Sequence, residues 1–386
     1  MKKILLGLLI LTATMFLIAC KPTENGNGNG NGNGNNNGEY TIKPVPDCEV
    51  PYLDGGWVCT WADEFELDRV DPFKWNFEIN DSGGGNNELQ YYISDNATVE
   101  DGILTITAKK ETYLTREYTS SRITTSGKGD FKYGRFQIRA KNPVGRGTWP
   151  AIWMMPTRSR YGGWPRSGEI DIMEYVGYDP IRVHATIHTA KFNHKQGTQI
   201  GGNKIINSTD QFLVYELLWE PGKLTWFIDG EQIFRVVYNP ALNDDVFYHE
   251  AHPFDQEFFI ILNLAIGGDW GGARGVDDSI FPATFQIDYV RYYELDYNML
   301  DKEAPNAVEN IFKSSLENTF YWDRPEDDYG VSHYDIYVGG EKYHTANLEQ
   351  FTLRGKPAGS YEIQIVAVDF TGKESPKSPI FNHTQT

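Results

Sequence analysis

The feature that most constrains the fold is a series of short, strand-like apolar runs that fills residues 61–293. Gly, Asn, Asp and Pro separate the runs, and apolar side chains alternate within them, as at Leu104, Ile106 and Ala108. Such period-two alternation indicates strands with one buried face, and no long run with the helical period competes. The runs include GILTITAKK, YGRFQIRAK, RVHATIHTA, LVYELLWEP, KLTWFIDGEQIFRV, EFFIILNLAIGG and TFQIDYVRYY. The sequence therefore predicts an all-β fold, a large sandwich or jelly roll.

A second, smaller β unit is predicted for residues 303–386. Its runs YWDRPEDDYGVSHYDIYVGGEKYHT and GSYEIQIVAVDFTGKES alternate again, with Tyr361, Ile363 and Ile365 on one face. Trp322 followed by strand pairs, and the AVDFTGKES turn, resemble a fibronectin type III domain, which implies a C-terminal immunoglobulin-like β-sandwich. We interpret this unit as a spacer, and carbohydrate binding is the alternative.

The charge balance narrows the set of partners. Asp and Glu outnumber Lys and Arg by 53 to 35, which gives a formal net charge of −18. Nucleic-acid binding needs a basic surface, so we expect no nucleic-acid partner. An anionic polysaccharide is also disfavoured, although a local basic patch would override the net charge, and a neutral substrate fits better.

The first twenty residues have the pattern of a secretory signal. MKKILLGLLILTATMFLIAC places two lysines before an apolar run and small residues before Cys20. The ending LIAC resembles the lipobox of bacterial lipoproteins, which implies a lipoprotein signal peptide at 1–20 and a lipid on Cys20. An ordinary signal peptide or an uncleaved membrane anchor is the alternative. Residues 21–45 are rich in Asn and Gly and are predicted to be a flexible tether, so we expect an extracytoplasmic protein anchored to a bacterial membrane, at the outer membrane or cell surface.

Cys48 and Cys59 are the two remaining cysteines. An even pair in an oxidising compartment predicts a disulfide, and two free thiols are the alternative. Two cysteines alone do not make a zinc site.

Three carboxylates interrupt the isoleucine-rich run SGEIDIMEY, residues 167–175. In a regular strand Glu169 and Asp171 point to one face, and the isoleucines between them point to the other. Glu174 breaks this alternation. Either it lies at the end of the strand, or one inserted residue returns it to the face of the other two acids.

An inserted residue between Asp171 and Glu174 would create a catalytic pair. The backbones of Glu169 and Glu174 would then be roughly 13 Å apart, and their side chains could lean to a carboxyl separation of about 5 Å, which is typical of retaining glycoside hydrolysis. One glutamate would attack the anomeric carbon, and the other would protonate the leaving oxygen and later deprotonate water. Asp171 would keep the pair in unlike protonation states. The pattern alone is weak, because acids on one strand face usually meet only solvent.

Tryptophans flank the acidic run and strengthen this interpretation. Trp149 and Trp153 lie just upstream in GTWPAIWMMP, and Trp164 precedes Glu169 by five residues. Exposed indoles suit the flat apolar faces of sugar rings. The alternative for each indole, Trp149 above all, is packing in the core.

Eight segments, from Trp61 to Tyr293, carry a resemblance to a known family. They are WADEF, GGGNNELQYY, YGRFQIRAK, GTWPAIWMMP, GEIDIMEY, HATIHT, FIILNLAIGGDWGG and IDYVRYY. In order and spacing they resemble glycoside hydrolase family 16, and within it the bacterial laminarinase branch of endo-1,3-β-glucanases. The resemblance implies a concanavalin-like β jelly roll of two curved sheets over residues 46–298, with the sugar chain in a cleft, and the bulged form of the acidic motif.

The resemblance also assigns roles to particular residues. Glu169 resembles the nucleophile, Glu174 the acid/base and Asp171 the assisting aspartate. The substrate-binding residues it implies are Asn86, Glu88, Trp149, Trp153, Trp164, His188 and Trp270. A structural strand histidine is the alternative for His188, and His184 shares its face.

A structural calcium ion is a further implication of the resemblance. Relatives hold it with the DEF glutamate, a backbone carbonyl and the DYVRYY aspartate, which in this sequence are Glu64, Gly102 and Asp288. Oxygen ligands suit calcium. The two-carboxylate mechanism itself needs no cofactor.

The function expected is therefore that of a monomeric, lipid-anchored endo-β-1,3-glucanase acting on a neutral β-glucan with retention. A mixed-linkage 1,3-1,4-β-glucanase is the alternative within the class. Agar or carrageenan cleavage is less favoured, because only Arg158, Arg160 and Arg166 bring basic charge near the Trp segments. A non-catalytic glycan-binding lipoprotein would keep the tryptophans but lose a carboxylate, and all three are present.

Overall fold

The computed structural model describes residue 42 and residues 44–385. The predicted signal peptide, Cys20 and nearly all of the predicted tether lie outside these residues. Within them, no helix is long and apolar enough to cross a membrane. Strands account for 46% of the structure and helices for 7%, which confirms the all-β prediction.

The larger part of the chain, which we call the main body, contains nineteen strands among the described residues. In chain order they are β1 Tyr52–Leu53, β2 Trp57–Asp63, β3 Asn76–Phe77, β4 Gln90–Tyr92, β5 Ala97–Glu100, β6 Ile103–Ala108, β7 Tyr118–Ser120, β8 Arg122–Thr124, β9 Asp130–Phe131, β10 Gly134–Lys141, β11 Thr148–Pro156, β12 Glu169–Tyr175, β13 Arg182–His188, β14 Ile200–Ile205, β15 Leu213–Glu220, β16 Lys223–Ile228, β17 Glu231–Val237, β18 Phe258–Ile266 and β19 Ala283–Leu295. Two one-turn helices, α1 Tyr248–Ala251 and α2 Tyr297–Leu300, and five 3₁₀ turns complete it; the turns are Gly83–Gly85, Ser94–Asn96, His194–Gln196, Ala241–Asn243 and Asp278–Ile280.

These strands form two large antiparallel sheets. The nine-stranded sheet has the order β1-β2-β19-β10-β15-β16-β17, with β5 and β6 joined to it through β19. The eight-stranded sheet has the order β14-β13-β12-β11-β18-β8-β3, with β9 paired to β18. A separate two-stranded parallel pair joins β4 to β7. The acidic strand β12 therefore lies inside the eight-stranded sheet, with a partner on each side.

One hydrophobic core joins the two sheets. Alternate residues of each strand enter it, such as Ile170 and Ile172 from β12, Leu217 from β15 and Trp226 from β16, each exposed by no more than 2%. Burial of apolar surface is worth about 25 cal/mol per Å², so this face of each strand fixes the register. The opposite face of β12 is left for the acids.

The C-terminal body consists of seven further strands. They are β20 Ile311–Lys313, β21 Thr319–Trp322, β22 Val331–Val338, β23 Glu341–Ala346, β24 Gln350–Thr352, β25 Gly359–Asp369 and β26 Phe381–Gln385. They form a three-stranded sheet, β20-β21-β24, and a four-stranded sheet, β23-β22-β25-β26. Residues of both sheets share a second core around Trp322, Tyr334 and Ile365.

A disulfide joins Cys48 to Cys59, with the two Cα atoms 6.5 Å apart. Cys59 lies in β2, and both cysteines pack with Ala62 and Tyr293 in a small apolar cluster at the edge of the nine-stranded sheet. The bond therefore ties the segment before β1 to the main body.

Candidate active site

A bulge in β12 brings the three acids to one face of the strand. On the neighbouring strand β13, Glu169 pairs with His188 and Glu174 pairs with His184. Five residue steps on β12 thus match four on β13, with the irregularity between Asp171 and Glu174. Of the two alternatives that the broken alternation left open, the structure has the bulge, and Glu174 lies on the same outward face as Glu169.

The other neighbour of β12 supplies tryptophans to this face. Across to β11, Ala151 pairs with Glu174 and Trp153 pairs with Asp171. Trp149 lies two residues before Ala151 and therefore shares its face. Both indoles point away from the core, which receives the intervening residues of β11.

An indole N–H donates to each glutamate. Trp149 Nε1 donates to Glu174 Oε1 at 3.2 Å. Trp164 Nε1, from the 157–167 loop, donates to a carboxylate oxygen of Glu169. Hydrogen bonds to a carboxylate favour its charged form and fix its orientation. Each catalytic candidate thus has its own positioning tryptophan.

Asp171 and His188 form the floor of the site. Asp171 is 2% exposed, and its Oδ2 lies 3.4 Å from Nε2 of His188. Ligating atoms of Glu169, Asp171 and His188 all lie within 4.8 Å of one another. The main-chain carbonyl of Asp171 accepts a 2.9 Å hydrogen bond from Trp226 in the core. The main chain of Asp171 is therefore anchored to the core by Trp226, and the Asp171 carboxylate lies close to Glu169.

Two cavities meet at the glutamates. The larger, about 460 Å³, is lined by the set Asn86, Trp149, Glu169, Glu174, His184, Thr186, His188, His194, Gln199, Asp269 and Trp270. The smaller lies on the other side and is lined by the set Gly84, Asn86, Glu88, Arg122, Trp149, Ala151, Trp153, Glu169, Asp171, Glu174, Asn263 and Ala265. Glu169 and Glu174 line both, so the acids stand at the centre of a cleft that is open on two sides.

Burial raises the pKa values of all three acids, and the charges of neighbouring acids raise those of the two glutamates further. Burial, and next the charge of Asp171, raises the pKa of Glu169 to about 8. Burial raises the pKa of Asp171 to about 7. Burial and the charges of the other two acids raise the pKa of Glu174 well above its ordinary value. Because Glu174 is crowded by two carboxylates, it is suited to hold the proton that a general acid delivers.

The predicted loop residues occupy different places. Asn86 lines both cavities, and its main-chain carbonyl accepts from Asp269 N at 2.8 Å. Trp270 lines the larger cavity and contacts Trp149 edge to face, with ring centroids 5.6 Å apart. Glu88 lines the smaller cavity but is only 6% exposed.

Glu88 is engaged in a buried network. Its Oε2 accepts hydrogen bonds from Gln90 at 2.7 Å and from the Tyr92 hydroxyl at 3.0 Å. Asn263 donates to the same hydroxyl and accepts a 2.7 Å bond from Trp153 Nε1. Glu88 therefore positions Trp153 indirectly, through the Tyr92 hydroxyl and then Asn263.

Several lining residues have no counterpart in the sequence prediction. Thr186 lies between His184 and His188 on one face of β13, so period two would have found it. His194, whose ring centroid is 5.2 Å from that of Trp164, lies in a 3₁₀ turn and has no periodic signal. Asn263 lies in a continuous apolar strand, where a single polar residue on the cleft face gives the only hint.

Basic residues contribute little to the cleft. Arg158, Arg160 and Arg166 line neither cavity. Arg122 lines the smaller one, stacked 4.8 Å from the Trp153 ring and paired to Glu78 at 2.9 Å. The cleft therefore presents no cluster of free arginines to a polyanion among the described residues.

The three residues predicted to hold calcium meet at one junction of the nine-stranded sheet. Glu64 follows β2, Gly102 precedes β6, and Asp288 lies between the stretches of β19 that pair with those two strands. Both carboxylate oxygens of Glu64 accept from Arg291, at 2.7 and 2.8 Å. Asp288 pairs with Arg139 through Oδ2. Both carboxylate oxygens of Glu64 are therefore bonded to Arg291, whereas the ion pair of Asp288 with Arg139 uses only one of the two Asp288 carboxylate oxygens.

A two-sheet β fold with paired glutamates on a bulged strand, each held by an indole, defines a glycoside hydrolase. The model of glycosyl hydrolases family 16 matches residues 86–291, which is 206 of the 386 positions. The chain belongs to this family.

The similar proteins agree with this placement. The chain is 48% identical over 244 residues to a beta-glucanase of Rhodothermus marinus, covering 61% of this chain and 85% of that protein. The solved laminarinase of the same organism superposes with a TM-score of 0.60 at 46% identity, over 62% of this chain and 98% of that one. SCLam, a non-specific endo-beta-1,3(4)-glucanase, superposes with a TM-score of 0.59 at 40% identity, over 63% and 93%.

Proposed function

We propose that the chain is an endo-β-1,3-glucanase that hydrolyses its substrate with retention. The observation that carries the proposal is the bulge in β12, which places Glu169, Asp171 and Glu174 on one face between two open cavities. The laminarinases and β-glucanases among the similar proteins support β-1,3-glucan as the substrate.

The reaction proceeds in two displacements. The Glu169 carboxylate attacks the anomeric carbon while Glu174 gives its proton to the departing glycosidic oxygen, which leaves a glycosyl ester on Glu169. Glu174, now ionised, takes a proton from water, and the water oxygen displaces Glu169 from the sugar. The N–H of Trp164 donates to Glu169 and favours its ionised form, and the nearby His188 acts electrostatically in the same direction.

The substrate range is tested by one product profile. The purified protein is incubated with laminarin, mixed-linkage barley glucan and agarose, and reducing ends and product lengths are measured. We expect the highest kcat/KM on laminarin, with oligosaccharides of several lengths from the start, as endo cleavage requires. Cleavage of agarose in preference to laminarin would overturn the assignment.

Mixed-linkage glucan is the second candidate substrate. The solved relative with 40% identity is described as a non-specific endo-beta-1,3(4)-glucanase, and the cleft is open on both sides of the acids. A polyanionic substrate is disfavoured by the absence of free arginines from the described cleft. A purely binding role is disfavoured by the intact set of three acids.

We further propose the setting in which the enzyme acts. Cys20 carries a lipid, residues 21–45 act as a tether, and the enzyme faces outward from a bacterial membrane as a monomer. The C-terminal body is a fibronectin type III-like sandwich, which its two sheets around one core support. A calcium ion at the Gly102–Asp288 junction would stabilise the nine-stranded sheet and take no part in the chemistry.

A further inference from the structure

A cavity of about 560 Å³, separate from the two that meet at the glutamates, lies at the junction of the main body and the C-terminal body. Its main-body wall consists of Arg160 and Tyr161 together with Phe247–His249. Its other wall comes from residues 343–347, residues 350–352 and Arg354 of the C-terminal body. The cavity is as large as the main part of the catalytic cleft and is not used by the chemistry described above.

The walls of this junction cavity are fixed by buried hydrogen bonds. Asn347 Nδ2 donates to Asp255 Oδ2 at 2.8 Å, and the hydroxyls of Tyr161 and Tyr248 donate to the same carboxylate. The main-chain N–H of Tyr248 donates to Gln350 Oε1 at 2.8 Å. Asp255 is 2% exposed, so the two bodies meet through a desolvated polar network and the cavity is preformed.

The junction cavity lies next to the catalytic cleft. Tyr161 is three residues from Trp164, so their Cα atoms are at most about 11 Å apart. Trp164 contacts Glu169 in the cleft, whereas Tyr161 lines the junction cavity. Ser167 Oγ accepts from Tyr161 N and donates to the Gly162 carbonyl, which holds the loop between them closed. Residues 161 and 164 of one short loop thus contact the junction cavity and the catalytic Glu169, respectively.

The chemistry of the lining suits a hydroxyl-rich ligand. Two arginines, Arg160 and Arg354, line the cavity, and no carboxylate does so in the described part of the chain. Thr345, Thr352 and Asn347 line it with polar groups. Each already makes one hydrogen bond inside the protein, and the remaining lone pairs of their oxygens can accept from sugar hydroxyls. Arg354, exposed and 5.4 Å from the Phe247 ring, adds a fork of donors beside an apolar surface.

We propose that the junction cavity is a distal binding site for the β-1,3-glucan chain, with the C-terminal body as one wall. The inference rests on the proposed function and extends it. The C-terminal body then contributes to substrate binding directly, rather than acting only as a spacer, and long chains gain affinity that short oligosaccharides cannot.

Chain-length dependence of hydrolysis tests the proposal. Arg354→Ala and the double variant Arg354→Ala/Thr345→Ala are compared with wild type on laminaritetraose and on long-chain laminarin. We expect KM for long laminarin to rise at least about threefold while kcat and the kinetics on laminaritetraose stay unchanged, because only long chains span both sites. Lys377→Ala, an exposed change elsewhere on the C-terminal body, is the matched control and leaves both substrates unaffected.

Two outcomes would overturn the distal site. One is an Arg354→Ala protein with wild-type KM on long laminarin, and the other is an equal loss on both chain lengths. Calorimetric titration of Glu174→Gln with long laminarin, with and without Arg354→Ala, separates binding from cleavage. If wild type cleaves no β-glucan yet Glu174→Gln binds long laminarin through Arg354, the proposed activity fails and the site stands. Tighter binding of a uronate-containing oligosaccharide than of laminarin would replace the glucan assignment.

Discussion

At the scale of single residues, the cleft is organised around three carboxylates that water cannot fully solvate. Glu169, Asp171 and Glu174 lie close together, and burial raises the pKa of each. Isolated charges in such a place cost free energy, so the site holds protons where a surface carboxylate would lose them. The proposed mechanism nevertheless needs acids at this place, because one must donate a proton and another must attack the anomeric carbon.

Loss of either glutamate should abolish hydrolysis. Glu169→Gln and Glu174→Gln each remove one partner of the double displacement, so we expect kcat on laminarin to fall by at least about 10²–10⁴-fold while oligosaccharide binding persists. Reducing-end assays and calorimetry measure the two effects. Azide should restore turnover to Glu169→Ala by taking the place of the nucleophile. A Glu174→Gln enzyme that keeps most of its activity would show that the roles are wrongly assigned.

The raised pKa of Glu169 predicts a pH-dependent stability. Its folded-state pKa of about 8 exceeds the ordinary 4.5, so this group favours folding below pH 4.5 and the contribution is lost as pH rises through 8. Glu169→Gln carries no charge at any pH. We expect it to raise Tm by at least about 2 °C at pH 8 and to have no effect near pH 4. Exposed Glu100→Gln is the control, and a Glu169→Gln protein less stable than wild type at pH 8 would refute the argument.

The indole that holds the nucleophile should affect the pH profile. Trp164→Phe keeps an aromatic ring but removes the N–H that favours the Glu169 carboxylate. We expect kcat/KM to fall about tenfold and the acidic limb of the pH–rate profile to move to higher pH. Trp270→Phe, a change in a ring that packs edge to face against Trp149 and His184, should leave that limb in place. An unmoved limb in Trp164→Phe would mean that the indole only packs.

Sequence reasoning at this scale succeeded where alternation was broken by polar residues. Glu169, Asp171 and Glu174 stand out because carboxylates are rare in a strand that is otherwise apolar and buried. Glu88 remains a predicted substrate-binding residue and lines the smaller cavity, but the sequence did not predict the buried network of its carboxylate with Gln90 and Tyr92. Its neighbours come from a loop and an adjacent strand, and no local pattern reports such contacts.

At the scale of elements, the bulge in β12 decides the site. Without it, five residue steps would put Glu174 on the core side with Ile172. From the alternation of the sequence alone, Glu174 required either a bulge or the end of the strand. The register with β13 shows the bulge. The strands were predictable because their core faces repeat every second residue. Asn86, Trp164 and Trp270 were predicted at the substrate, but the courses of their loops were not predictable, because these follow from tertiary contacts.

The junction of β2, β6 and β19 gives a test of the proposed calcium ion. We expect calcium at about 1 mM, roughly a hundredfold over a dissociation constant in the 10⁻⁵ M range, to add about 2.7 kcal/mol of stability and raise Tm, while EDTA lowers it. Differential scanning calorimetry measures the shift, and Asp288→Asn should remove it. Glu294→Gln, further along β19, is the control. Identical Tm values in calcium and in EDTA would contradict the calcium proposal. The ion pairs Arg139–Asp288 and Arg291–Glu64 would then hold this junction together without a metal ion.

At the scale of the whole molecule, two bodies with separate cores are joined by an interface that combines buried hydrogen bonds with apolar contacts, such as that of Leu348 with Tyr238. Both were predictable as β units from their alternating runs. The junction was not, since Asp255, Asn347 and Gln350 are far apart in sequence from their partners and carry no shared pattern. This interface makes the C-terminal body part of the enzyme's surface near the cleft. The catalytic assignment does not depend on it.

The stereochemistry of the first products tests the central claim most directly. Proton NMR during early hydrolysis of a laminari-oligosaccharide reports the anomer formed before mutarotation. Because Glu169 is assigned as a nucleophile that forms a glycosyl ester, two inversions predict that the β-anomer appears first and the α-anomer grows in later. Initial release of the α-anomer would show a single displacement by water and would contradict the roles assigned to the two glutamates of β12.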